Sequence, residues 1–106
     1  NDVIEGGQGD DFLYGEAGDD IITGGLGRDL IEGDARNDFI GGKDTLHGDE
    51  DNDTISGGAG NDTVEGGGGS DTIDGDFAGP GWTGNDNIHG GDGGDILRGN
   101  GGSDRI

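Results

Sequence analysis

An Asp and an aliphatic residue recur two positions apart along the whole chain. The acids are Asp2, Asp11, Asp20, Asp29, Asp38, Asp44, Asp53, Asp62, Asp71, Asp86, Asp95 and Asp104. Two residues after each stand Ile4, Leu13, Ile22, Ile31, Ile40, Leu46, Ile55, Val64, Ile73, Ile88, Leu97 and Ile106. Most repeats are nine residues long and open on glycines, as in "GGAGNDTVE" at 57–65 and "GGGGSDTID" at 66–74. A unit this short cannot bury its apolar side chain alone, so it must stack on its neighbours. The chain therefore reads as one repeat array over residues 1–106. Units begin at Gly6, Gly15, Gly24, Gly33, Gly42, Gly48, Gly57, Gly66, Gly75, Gly90 and Gly99. Two of them are irregular: 42–47 reads as a shortened unit, and 77–82 as an insertion.

Within a unit, the last three residues, such as "TVE" at 63–65, alternate outward, inward, outward as a strand does. The eighth position is the inward one. The opening "GGxGxD" reads as a turn that needs positive φ, which glycine adopts without steric penalty. Glycine also leaves backbone carbonyl oxygens uncovered. That combination explains why 30 of 106 residues are Gly.

Composition narrows the function. Low hydrophobicity (25%) and a net charge of −20 are by themselves the signature of a disordered linker. The regular Asp and aliphatic spacing displaces that reading. The charge argues against nucleic acid and anionic membrane as partners and for cations. There is no Cys for a disulfide, and no apolar run long enough to span a membrane. With carbonyl and carboxylate oxygens as the available donors, the expected ion is calcium, which takes ~6–8 oxygen ligands in irregular geometry. Zinc and copper prefer the His and Cys this chain nearly lacks.

The units resemble the RTX (repeats-in-toxin) calcium-binding nonapeptide, over essentially the whole chain. The resemblance implies an all-β fold, a right-handed parallel β-roll solenoid with two nonapeptide units per coil. It implies one ion between successive turns on the same edge. The implied ligands are the carboxylates of Asp2, Asp11, Asp20, Asp29, Asp38, Asp53, Asp62, Asp71, Asp86, Asp95 and Asp104. Backbone carbonyls of Gly7, Gly9, Gly25, Gly27, Gly58, Gly60, Gly67, Gly69, Gly91 and Gly93 complete them. One edge is expected to carry Asp11, Asp29, Asp44, Asp62, Asp86 and Asp104, and the other Asp2, Asp20, Asp38, Asp53, Asp71 and Asp95. The cleanest neighbouring pairs are Asp11 with Asp29, Asp53 with Asp71, and Asp71 with Asp95.

Departures from the repeat mark places where ion sites are expected to be weak. Arg36 stands where a turn glycine belongs, and Lys43 lies in the shortened unit. Trp82 is expected on a bulge beside Phe77 and Pro80. His47 and His89 share a face with Glu65 between them, about 10 Å apart at a strand spacing of ~4.8 Å, too far to share a metal. Val3, Phe12, Ile21, Leu30 and Phe39 point outward early in the chain, either as a docking face for a neighbouring domain or as ordinary strand formers. "DEDNDT" at 49–54 lacks the Gly and Glu an EF-hand loop requires.

No catalytic constellation is present, so the segment itself is expected not to be an enzyme. The resemblance implies a secreted, extracellular protein exported by type I secretion. Its partners would be calcium ions and the neighbouring domains of a larger chain, with calcium driving folding outside the cell. The alternative is a calcium-stiffened spacer or surface-binding segment of an extracellular adhesin.

Overall fold

The computed structural model describes residues 1–36 and 40–106. Ten short strands follow one another: β1 (Val3–Gln8), β2 (Phe12–Glu16), β3 (Ile21–Leu26), β4 (Leu30–Asp34), β5 (Thr45–Glu50), β6 (Thr54–Gly58), β7 (Thr63–Gly68), β8 (Thr72–Asp76), β9 (Asn87–Asp92) and β10 (Ile96–Arg98). Odd strands form one five-stranded parallel sheet, in the order β1-β3-β5-β7-β9. Even strands form a second, β2-β4-β6-β8-β10. The chain crosses from one sheet to the other at every turn, so two units make one coil of a parallel β-roll.

Register places the aliphatic residues in two lines. Ile4, Ile22, Leu46, Val64 and Ile88 stack in the odd sheet. Leu13, Ile31, Ile55, Ile73 and Leu97 stack in the even sheet. The two lines pack on each other as the core, buried in the middle and partly exposed at the ends, at Ile4 and Leu97. The glycine two residues on from each of these core residues also faces inward, and Gly15, Gly24, Gly33, Gly48, Gly57, Gly66, Gly75, Gly90 and Gly99 are all buried. They supply no side chain, which keeps the core one residue wide.

The structure divides residues 33–47 differently from the reading above. Among the described residues no strand lies between β4 and β5, and Asp44 takes the turn-closing place before β5. The N–H of Asp20 donates to Asp44 Oδ1 at 2.8 Å, and the N–H of Asp44 donates to Asp62 Oδ1 at 2.9 Å. Ile40, expected in the core, is 88% exposed. The reason is length: six residues cannot supply both a turn and a strand. Run from Gly33 to Asp44, the segment matches Gly75 to Asp86 in length and keeps the strands in register. Asp38 and Phe39 lie outside the described residues.

The edges change accordingly. One carries Asp11, Asp29, Asp53, Asp71 and Asp95, each N–H donating to the next carboxylate. The other carries Asp2, Asp20, Asp44, Asp62, Asp86 and Asp104. The three pairs read as cleanest are adjacent, while Asp44, Asp62, Asp86 and Asp104 exchange edges as a block with Asp53, Asp71 and Asp95.

A second, smaller apolar cluster lies outside the roll. Phe77 and Trp82 meet edge to face with ring centroids 4.8 Å apart, and Ala59 completes the cluster. The Arg36 guanidinium sits over the Phe77 ring, 4.8 Å from its centroid. Both long turns thus fold onto the same edge and touch each other across the short turn between them.

Candidate metal centres

The turns are numbered 1 to 10 along the chain: 6–11, 15–20, 24–29, 33–44, 48–53, 57–62, 66–71, 75–86, 90–95 and 99–104. Successive turns on one edge stack directly, and each adjacent pair encloses a slot. Three kinds of glycine build it. At the second and fourth positions φ is positive, from +100° at Gly7 to +138° at Gly69, a region that glycine enters freely. These are the glycines whose carbonyls were expected to face an ion: Gly7, Gly9, Gly25, Gly27, Gly58, Gly60, Gly67, Gly69, Gly91 and Gly93. The Gly7, Gly9, Gly67 and Gly69 carbonyls point along the stack at the next turn.

At the first position no positive φ occurs, and glycine serves space instead. A methyl group at Gly6 would lie 2.6 Å from the Gly24 carbonyl oxygen and 2.7 Å from Asp11 Oδ2. At Gly15 it would lie 2.5 Å from the Gly33 oxygen and 2.6 Å from Asp20 Oδ2. The same crowding repeats at Gly24, Gly33, Gly48, Gly57, Gly66 and Gly75. Each first-position glycine is thus crowded by a carbonyl from a turn two units away, a neighbour that shows only when the turns are stacked.

Each turn-closing carboxylate divides its work. Oδ1 accepts the N–H of the preceding Asp on the same edge. Oδ2 of Asp11, Asp20, Asp29, Asp44, Asp53, Asp62, Asp71 and Asp86 is buried with no hydrogen-bond partner. Buried polar atoms in native proteins are almost always partnered. Here each orphaned oxygen and a carbonyl oxygen of the next turn crowd the same first-position glycine, two acceptors on one small space. A cation resolves that arrangement. Oxygen-only, irregular donors match calcium, and among the described residues no three His, Cys, Asp or Glu side chains converge on a point. Asp95 and Asp104 close the last turn of each edge and Asp2 precedes the first; none of the three carries an orphaned oxygen.

Electrostatics point the same way. Burial pushes the Asp62 carboxyl up to about 8, and Asp44 and Asp53 to about 7, partly offset by their backbone hydrogen bonds. Asp86 rises to about 6 for the same reason, and Asp29 and Asp71 are also raised. Among the described residues, none of these six Asp carboxylates has a basic partner within ion-pair distance.

Residues expected to oppose an ion do not enter the slots. Arg36 pairs with Glu32 at 2.6 Å with its side chain 72% exposed, and Lys43 is exposed. His47, Glu65 and His89 stand in one row on the odd sheet, with His47 Nδ1 3.3 Å from Glu65 Oε2. The fifth position adds a ladder that sequence reading passed over. Asp10, Asn52, Asn61 and Asn85 each accept the N–H of the fifth residue in the next turn, at 2.8–2.9 Å. Its signal was the recurrence of Asn or Asp before the turn-closing Asp.

The family model for the RTX calcium-binding nonapeptide repeat matches four times, at residues 1–31, 24–40, 41–76 and 83–106. The chain belongs to the RTX calcium-binding repeat family. No curated protein and no solved structure matches it. The RTX matches break at 40/41 and skip 77–82, inside the two long turns. RTX repeats bind calcium, and the Asp-rich turns of this chain fit that ion.

Proposed function

We propose that this segment is a calcium-driven folding module of a larger exported protein. The observation that carries it is the row of orphaned Asp Oδ2 atoms, each crowding a first-position glycine together with a carbonyl oxygen of the next turn. Up to eight ions, one per orphaned oxygen, would join coil to coil. Bound calcium supplies positive charge and ligand bonds between turns. Such slots do not exist in the unfolded chain, so binding free energy becomes folding free energy. The roll needs that help because its core is two facing lines of single side chains. RTX repeats are typical of proteins exported by type I secretion, which supports an extracellular setting. Low calcium inside the cell would then keep the chain loose until export. A non-enzymatic role fits, with carboxylates placed in metal slots. Exposed Val3, Phe12 and Ile21 at the first coils favour contact with a neighbouring domain.

Circular dichroism tests the reading. The chain in excess chelator is expected to lack most β signal and to gain it at millimolar calcium. A strong β signal in chelator would sink the proposal.

A further inference from the structure

Asp34 and Asp76 hold the second position of the two long turns, where ordinary turns mostly carry glycine. Both are buried, 1% and 0% exposed. Neither has positive φ, unlike the second-position glycines of the ordinary turns. In ordinary stacks the second-position carbonyl points at the second residue of the next turn, as Gly7 does at Gly25 and Gly67 at Gly91. At Gly58 the neighbour is different: an added methyl would meet Asp34 Cβ at 2.6 Å and Oδ2 at 2.8 Å. The long turn has exchanged a carbonyl oxygen for a carboxylate.

Backbone donors fix both side chains. Asp34 Oδ1 accepts the N–H of Gly42 at 3.2 Å, and Oδ2 accepts both that N–H at 3.3 Å and the N–H of Ala59 at 3.1 Å, so Oδ1 is the oxygen with a lone pair to offer. Asp76 Oδ2 accepts the N–H of Gly101 at 3.1 Å, and its own carbonyl takes Asn100 Nδ2 at 2.7 Å. Asp76 Oδ1 remains buried without a partner. It belongs to the same turn as the orphaned Asp86 Oδ2, as Asp34 belongs with Asp44.

We propose that Asp34 and Asp76 are side-chain ligands for cations held between turns 4 and 6 and between turns 8 and 10, two sites with one more carboxylate than the ordinary slot. The inference rests on the calcium reading and refines it. Affinity of an oxygen site rises with its carboxylate count. A carboxylate oxygen that accepts one N–H keeps a second lone pair for an ion. These two sites therefore fill first, on the edge that carries both long turns.

The only tryptophan, Trp82, reports on one of them, because it shares its turn with Asp76 and packs on Phe77. Terbium, a hard oxygen-seeking cation, is titrated into the whole chain with tryptophan excitation, and calcium is titrated by calorimetry. Sensitised terbium emission is expected within the first two equivalents. Asp76→Asn is expected to move it to at least about tenfold higher terbium, the scale on which metal-site changes act. Asp34→Asn is expected to remove one early calcium event from the calorimetry. Asp49→Asn, a second-position acid that is exposed, is expected to change neither. Unaltered early binding in both variants, with the calcium-induced β signal intact, would overturn the proposal and leave the calcium reading standing. Failure of both variants to fold at saturating calcium would make the pair structural only, and also overturns it. A wild-type chain that gains no β signal with calcium overturns the calcium reading first.

Discussion

Asp20 and Asp44 are neighbours: the N–H of one donates to Oδ1 of the other at 2.8 Å across 24 positions of sequence. The contact makes Asp44 a central member of its edge. Asp44→Ala is therefore expected to be as harmful as Asp71→Ala. Each removes a buried carboxylate whose Oδ1 holds a backbone N–H, a loss of about 1–3 kcal/mol before any ion is counted. Asp104→Ala, at a carboxylate with no orphaned buried oxygen, is expected to be milder. Calcium titrations followed by circular dichroism decide it; a mild Asp44→Ala would break the edge assignment.

Acidity should act in opposite senses with and without calcium. The ordinary carboxyl value is 3.8, while Asp62 rises to about 8 and Asp44 to about 7. Without metal, the roll holds more protons than the unfolded chain between those limits. Its stability is therefore fully present below about pH 4 and is lost as pH rises through about 8. Calcium competes with the same protons, so its affinity falls as pH drops from 8 to 6. The expected pattern is a gain of β structure on acidifying the chelated chain and a higher calcium midpoint at pH 6 than at pH 8. A calcium midpoint independent of pH would contradict it.

Neighbouring glycines should differ sharply. At Gly66 a methyl group would collide with Asp71 Oδ2 and the Gly90 carbonyl oxygen. At Gly68 the nearest atom is 3.7 Å away, and φ is not positive. Gly66→Ala is expected to destabilise the calcium-loaded roll by roughly 2 kcal/mol or more through crowding and loss of the slot. Gly68→Ala is expected to be neutral or slightly stabilising, since alanine restricts the unfolded chain. Thermal melts in saturating calcium compare them; equal losses would refute the crowding argument.

Asp51 stands at a turn position with φ of +77°. A side chain in that region costs on the order of 1–2 kcal/mol, less for Asp than for most residues. Asp51→Gly is expected to raise the melting temperature of the loaded form and reduce local like-charge repulsion. A lower melting temperature would show that its carboxylate does more than occupy the turn.

The two aliphatic lines and most turn-closing acids could be read from spacing, because a strand's period and a turn's glycine demand are local properties. The division at 33–47 could not. Asp38 and Ile40 satisfy the local pattern, and only the 24-residue step from Asp20 to Asp44 shows which acid the stack uses. Equal spacing from Gly33 to Asp44 and from Gly75 to Asp86 was the available clue. First-position crowding was invisible for a similar reason: Gly24 is squeezed partly by the Gly48 carbonyl, which no window of nine residues contains. The Phe77–Trp82 pairing was anticipated, but its contact with Arg36 joins two insertions and has no sequence signature.

That contact between Arg36 and Phe77 closes a loop in the chain. It straddles turn 6 and ties turn 4 to turn 8, so a length of chain worth about 140 Å at about 3.4 Å per residue runs between two touching side chains. At about 0.5–1 kcal/mol for an exposed cation–π pair, it is a light tie, one that positions the two long turns against each other without bearing load.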